Sequence, residues 1–104
     1  MRSSSPPATG VESLGLKTLS WQHPGAVNVA ELRSLLEDMP RQILRFKGSV
    51  CLGDGRVLAL QRAAGRVTSW ELPNGTREER RLVFIGDDTP PLWEWLTPRL
   101  NRLV

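Results

Sequence analysis

The chain has 104 residues, 39% of them hydrophobic and 24% charged, which is enough for one compact domain around a single core and too few for two. Its single cysteine, Cys51, excludes an internal disulfide or a thiolate cluster, and no apolar run approaches the ~20 residues of a membrane helix, so a reducing, cytoplasmic setting is expected. The formal charge of +3 comes from 14 Lys and Arg against 11 Asp and Glu, with acids interleaved among cations as in Arg77-Glu78-Glu79-Arg80-Arg81, the pattern of a solvated mixed face rather than of a dedicated nucleic-acid element.

Residues Met1 to Gly10 are small, polar or proline and carry nothing to bury, so they read as a flexible leader ahead of a domain over residues 11–104. From Val11 to Trp21 apolar and polar residues roughly alternate, which predicts a first strand with Leu14, Leu16, Leu19 and Trp21 available for burial. His23-Pro24-Gly25 breaks it. Asn28 and Glu31 have capping-box spacing, and Val29, Leu32, Leu35, Leu36 and Met39 fall on one helical stripe that Pro40 brings to an end.

Ile43 to Leu52 reads as a strand, with Leu44, Phe46, Val50 and Leu52 on one face and Ile43, Arg45, Lys47, Ser49 and Cys51 on the other. Gly53-Asp54-Gly55 predicts a hairpin into Val57–Arg62, and Ala63-Ala64-Gly65 a second tight turn into Arg66–Leu72. After Pro73-Asn74-Gly75, the run Arg80 to Ile85 has the consecutive apolar residues of a central strand. Asp87, Asp88 or Thr89 can cap a closing helix with Pro90 or Pro91 in its first turn, and Pro98 predicts a kink or a fresh helical turn. This order implies an α+β domain: a mainly antiparallel sheet of about four or five strands with two helices on one face, in a ferredoxin-like arrangement.

Little reactive chemistry is available. His23 is the only histidine and lies in a turn without a triad pattern around it, and one imidazole with one distant thiol does not make a metal site. The spaced glycines near Gly53 and Gly55 lack the Gly-Lys-Ser/Thr ending of a phosphate loop, and Asp87-Asp88 suits the positive end of a helix. Trp21, Trp70, Trp93 and Trp95 should be mostly core, although Trp93 and Trp95 stand about 200° apart on a helix, too far for both to face one narrow groove. Arg45, Lys47, Gln61, Arg62 and Arg66 gather on adjacent strands. They make either a solvated sheet face or a surface for an acidic partner, be it a protein domain, nucleotide phosphates or RNA.

The strings Ile43-Leu44-Arg45-Phe46-Lys47-Gly48, Leu60-Gln61-Arg62-Ala63-Ala64-Gly65-Arg66 and Leu82-Val83-Phe84-Ile85-Gly86, in this order and spacing, resemble the C-terminal domain of CobW-type proteins. The likeness extends over about residues 11 to 100. Such proteins join this domain to a P-loop GTPase domain, often with a Cys-x-Cys-Cys motif and a His-rich linker, and act in metal delivery, including cobalt for cobalamin synthesis and zinc homeostasis. The resemblance therefore implies a non-catalytic accessory domain with no cofactor or metal of its own. Its expected partner is a CobW-type GTPase domain or a metal-acceptor protein, met through Arg45, Lys47, Gln61 and Arg66. A nucleic-acid-binding module using the same basic face is the alternative. Ala64, where the family has the first glycine of a pair, and Pro98 depart from the family pattern.

Overall fold

A computed structural model describes residues 15–73, 76 and 79–104. The expected leader and the opening of the first strand, Val11 to Leu14, lie outside the described residues. The elements in chain order are β1 (Leu16–Gln22), α1 (Val29–Glu37), β2 (Ile43–Cys51), β3 (Val57–Ala63), β4 (Arg66–Glu71), β5 (Arg81–Asp87) and α2 (Pro90–Asn101). The strands form one five-stranded sheet in the order β1-β5-β2-β3-β4, each neighbouring pair antiparallel.

This is the expected α+β architecture, with one refinement. The crossover through α1 leaves β1 and β2 pointing the same way, but they do not touch, because β5 lies between them and pairs with both. The apolar run of β5 follows from that central place: Leu82 and Phe84 are buried beneath the helices, while Val83 and Ile85 stand half-buried on the opposite side.

Leu32 and Leu35 of α1 and Leu92, Trp93, Leu96 and Leu100 of α2 cover one sheet face, closing a core over Ile43, Phe46, Val50, Leu60, Leu82 and Phe84. The Phe46 and Phe84 rings, cross-strand partners, meet at 5.5 Å between centroids. Asn28 caps α1 as its spacing predicts, its side chain accepting from the Glu31 amide at 3.0 Å.

Two sequence expectations need correction. A register shift between Ile43 and Arg45 places Ile43 in the core, fully buried, and leaves Leu44 exposed, so the face assignment of these two residues is reversed. Strict alternation cannot foresee a bulge, since one extra residue inverts every side chain before it. Pro98 does not interrupt α2, which runs through it to Asn101. Proline removes the amide that would pair with the Glu94 carbonyl, and in the same turn Arg99 Nη1 donates to the Trp95 carbonyl at 2.7 Å, its guanidinium lying 4.3 Å from the Trp95 ring. The tryptophans are mostly core, as expected: Trp93 is buried, Trp21 and Trp95 pack partly buried against the core, and Trp70, on edge strand β4, is exposed. Trp93 Nε1 donates to the Asp87 carbonyl at 3.0 Å, which satisfies the polar end of the buried ring.

Candidate sheet-face groove

The side of the sheet away from the helices carries the remaining polar residues. Antiparallel partners project to the same side, so the pairings Lys47↔Val83, Lys47↔Gln61 and Gln61↔Thr68 lay one row across four strands. The next row along holds Arg45↔Ile85, and Ala63↔Arg66 closes its far side. Arg45, Lys47, Gln61 and Arg66, the residues expected to meet a partner, therefore share one face and are all exposed. Arg62 does not join them. It pairs with Phe46 and Val67, faces the helices, is 9% exposed, and donates from Nη1 to the Pro40 carbonyl at 3.0 Å, while its Nε finds no partner. It ties the end of the α1–β2 connection to the sheet.

Between β4 and β5 the chain passes from beside β3 to a place between β2 and β1, and Glu79 and Arg80, which lead into β5, lie at one end of the open face as a wall. Its fixed points are the Leu72 amide donating to the Val57 carbonyl at 2.9 Å, the Ser49 hydroxyl donating to the Glu79 carbonyl, and the His23 amide donating to the Arg80 carbonyl at 3.0 Å. Val57, Ala59 and Ser49 are buried although they face away from the helices, and at Ser49 the hydroxyl is held against the Glu79 backbone. Glycine at position 48 lets the start of β5 approach β2 closely: a Cβ there would lie 1.9 Å from the Arg81 carbonyl oxygen.

Wall and sheet together enclose a groove of about 640 Å³, within the size range of ligand sites. Val83, Ile85 and Ala63 give it an aliphatic floor, Arg45, Lys47 and Gln61 line its sides, and Glu79 and Arg81 form the wall. Arg81 Nη2 reaches Glu79 Oε2 at 2.8 Å. Among the described residues, neither Arg45 nor Lys47 has an ion-pair partner. The groove thus offers unpaired positive charge above an apolar floor. Sequence reasoning found the sides and missed Glu79, Arg81, Val83 and Ile85; the alternation of Arg81, Val83 and Ile85 against Leu82 and Phe84 was the available signal.

No other constellation of chemistry is present among the described residues. No group of three or more His, Cys, Asp or Glu is placed to hold a metal ion, and no helix is long and apolar enough to cross a membrane. His23 lies 5.9 Å from the Trp21 ring between centroids, and Cys51 Sγ approaches the Leu52 carbonyl at 3.5 Å. Asp54 is held below the usual carboxylate range by the Arg56 backbone amide and then by its guanidinium, an arrangement that fastens the β2–β3 turn.

The family model described as "Cobalamin synthesis protein cobW C-terminal domain" matches residues 16–104. Among solved structures, the Zn(II)-bound YjiA GTPase from E. coli superposes with a TM-score of 0.70 at 19% identity, over 98% of this chain and 34% of that one. A Zn(II)-bound triple mutant of YjiA GTPase gives a TM-score of 0.69 at 19% identity, over 86% of this chain and 30% of that one. The chain thus spans about a third of the length of these structural relatives. A search of curated proteins found no match.

Proposed function

This chain belongs to the CobW C-terminal domain family, and from that premise we propose that it is the non-catalytic accessory domain of a CobW-type, GTP-dependent metal chaperone serving cobalamin biosynthesis or zinc and cobalt homeostasis. It acts by docking, on a GTPase domain or on a metal-acceptor protein, through the open sheet face. Arg45, Lys47, Gln61 and Arg66 carry the contact, the cations by charge-assisted hydrogen bonds to carboxylates and Gln61 by its amide. The observation that carries this reading is the common exposed face of these four residues, opposite the face that the helices occupy. Trp70 is an exposed ring on the same face but does not line the groove, whose aliphatic floor of Val83 and Ile85 suits a protein surface better than RNA bases, which stack on rings.

The test is calorimetric titration of the chain with a CobW-type GTPase domain, repeated at rising salt. Binding that weakens with salt, and that falls at least about tenfold with Arg45→Glu, is expected from loss of a charge-assisted contact and creation of a like-charge clash. Absence of binding, or the same affinity for the variant, would refute the assignment. Retention on immobilised RNA that survives when the GTPase domain is not bound would favour the nucleic-acid alternative.

A further inference from the structure

The groove already contains one carboxylate. Glu79 comes from the residues that lead into β5 and meets Arg81 at 2.8 Å, both side chains remaining well exposed at 62% and 43%. An exposed pair of this kind is held weakly and exchanges readily for an equivalent acid. Beside it, Arg45 and Lys47 are two residues apart on β2, which sets their Cα atoms about 6.6–6.8 Å apart. That is the repeat of alternate side chains in any extended chain. Val83 and Ile85 lie directly alongside, paired with Lys47 and Arg45.

From these positions we infer that the groove takes an extended acidic segment of a partner protein, with acids at alternate positions and an aliphatic side chain among them, and that Glu79 is its resident competitor. Two carboxylates of the segment meet Arg45 and Lys47, the aliphatic group covers Val83 and Ile85, and a further carboxylate displaces Glu79 from Arg81. Glu79 thereby limits binding to partners that present more than one acid at this spacing. This rests on the reading of the open face as the docking surface, and it specifies what that face recognises.

The experiment is fluorescence anisotropy with the full chain and a short labelled peptide of alternating Glu and Ser carrying one Leu at a Glu position. Comparison probes replace Glu by Lys, replace Leu by Ser, or substitute single-stranded RNA. The Glu–Ser–Leu peptide should bind and the Lys peptide should not. Replacing Leu by Ser should weaken binding about threefold or more through loss of the buried aliphatic group. Glu79→Gln should tighten binding about two- to fivefold, the range of a weak exposed ion pair. The double variant Arg45→Glu/Lys47→Glu should abolish binding while keeping the wild-type circular dichroism spectrum.

Equal or weaker binding by Glu79→Gln, or RNA bound in preference to the peptide, overturns the inference. Peptide binding with the expected Glu79 effect but no affinity for a GTPase domain would leave the inference standing and place the failure in the choice of partner.

Discussion

The turn between β3 and β4 offers a prediction of unusual sign. Ala64 and Gly65 link the last cross-strand pair, Ala63↔Arg66, and both have positive φ, 54° and 77°. A two-residue hairpin turn with both central residues left-handed matches the twist of its strands, and it favours glycine at each position. Alanine at 64 meets the geometry at a steric cost of about 1–2 kcal/mol for an L-residue in this region. Ala64→Gly removes that cost and adds about 0.4–1 kcal/mol of freedom to the unfolded chain, so the net stabilisation is about 0.5–1 kcal/mol. For a domain of this size that corresponds to a rise in Tm of about 2–8 °C.

Ala64 is exposed, so no packing is lost with the methyl group. Gly65→Ala is the mirror experiment: a Cβ at Gly65 would meet nothing within 4 Å, so any loss is purely backbone in origin. Thermal and urea melts of the three proteins, with unchanged urea m-values, read the effect. A Tm for Ala64→Gly equal to or below that of the parent chain would refute the reasoning, because it would mean the left-handed alanine carries no strain.

Two further outcomes follow from other positions. Gly48→Ala drives a methyl to 1.9 Å from the Arg81 carbonyl, and neither strand can retreat by an ångström without breaking the β2–β5 ladder; a loss of at least about 3 kcal/mol in urea unfolding is expected, and wild-type stability would contradict it. Asp54 has its carboxyl pKa lowered by Arg56, so its stabilising effect is complete above the ordinary value of 3.8 and disappears as pH falls through its depressed folded-state value. The Tm of Asp54→Asn should therefore lie slightly below that of the parent at neutral pH and converge with it below pH 3.8, as pH-dependent melts can show.

Local signals in the sequence served the hairpins and helices well. Asn28 with Glu31, Gly53-Asp54-Gly55 and the Ala64-Gly65 turn all act where their chemistry says, since caps and tight turns are decided by a few neighbouring residues. What escaped was non-local. The insertion of β5 between β1 and β2 depends on pairing over long separations, and the consecutive apolar residues of Leu82 to Ile85 state only that both sides are covered. The bulge at Ile43 and Arg45 exchanges core and solvent roles with no signature residue, and the continuation of the helix through Pro98 is likewise not encoded in periodicity.

The groove was legible to the same depth. Arg45, Lys47 and Gln61 follow from alternation along β2 and β3, while Arg62 looks equivalent in sequence and is turned inward by one position of register. Glu79 and Arg81 belong to the site only because β5 lies beside β2 at the centre of the sheet, which brings the residues that begin it to the groove.

That late insertion also sets an order of assembly. β2, β3 and β4 are joined by short turns and can zip from local contacts as soon as they are synthesised, but β1 has no strand to lie against until residues 81–87 emerge. On the ribosome β1 must wait, tethered through α1, while residues 23–80 are made. Its apolar residues Leu19 and Trp21 stay without their β5 partners for that interval, a window in which a chaperone or a neighbouring nascent chain has its best access to them.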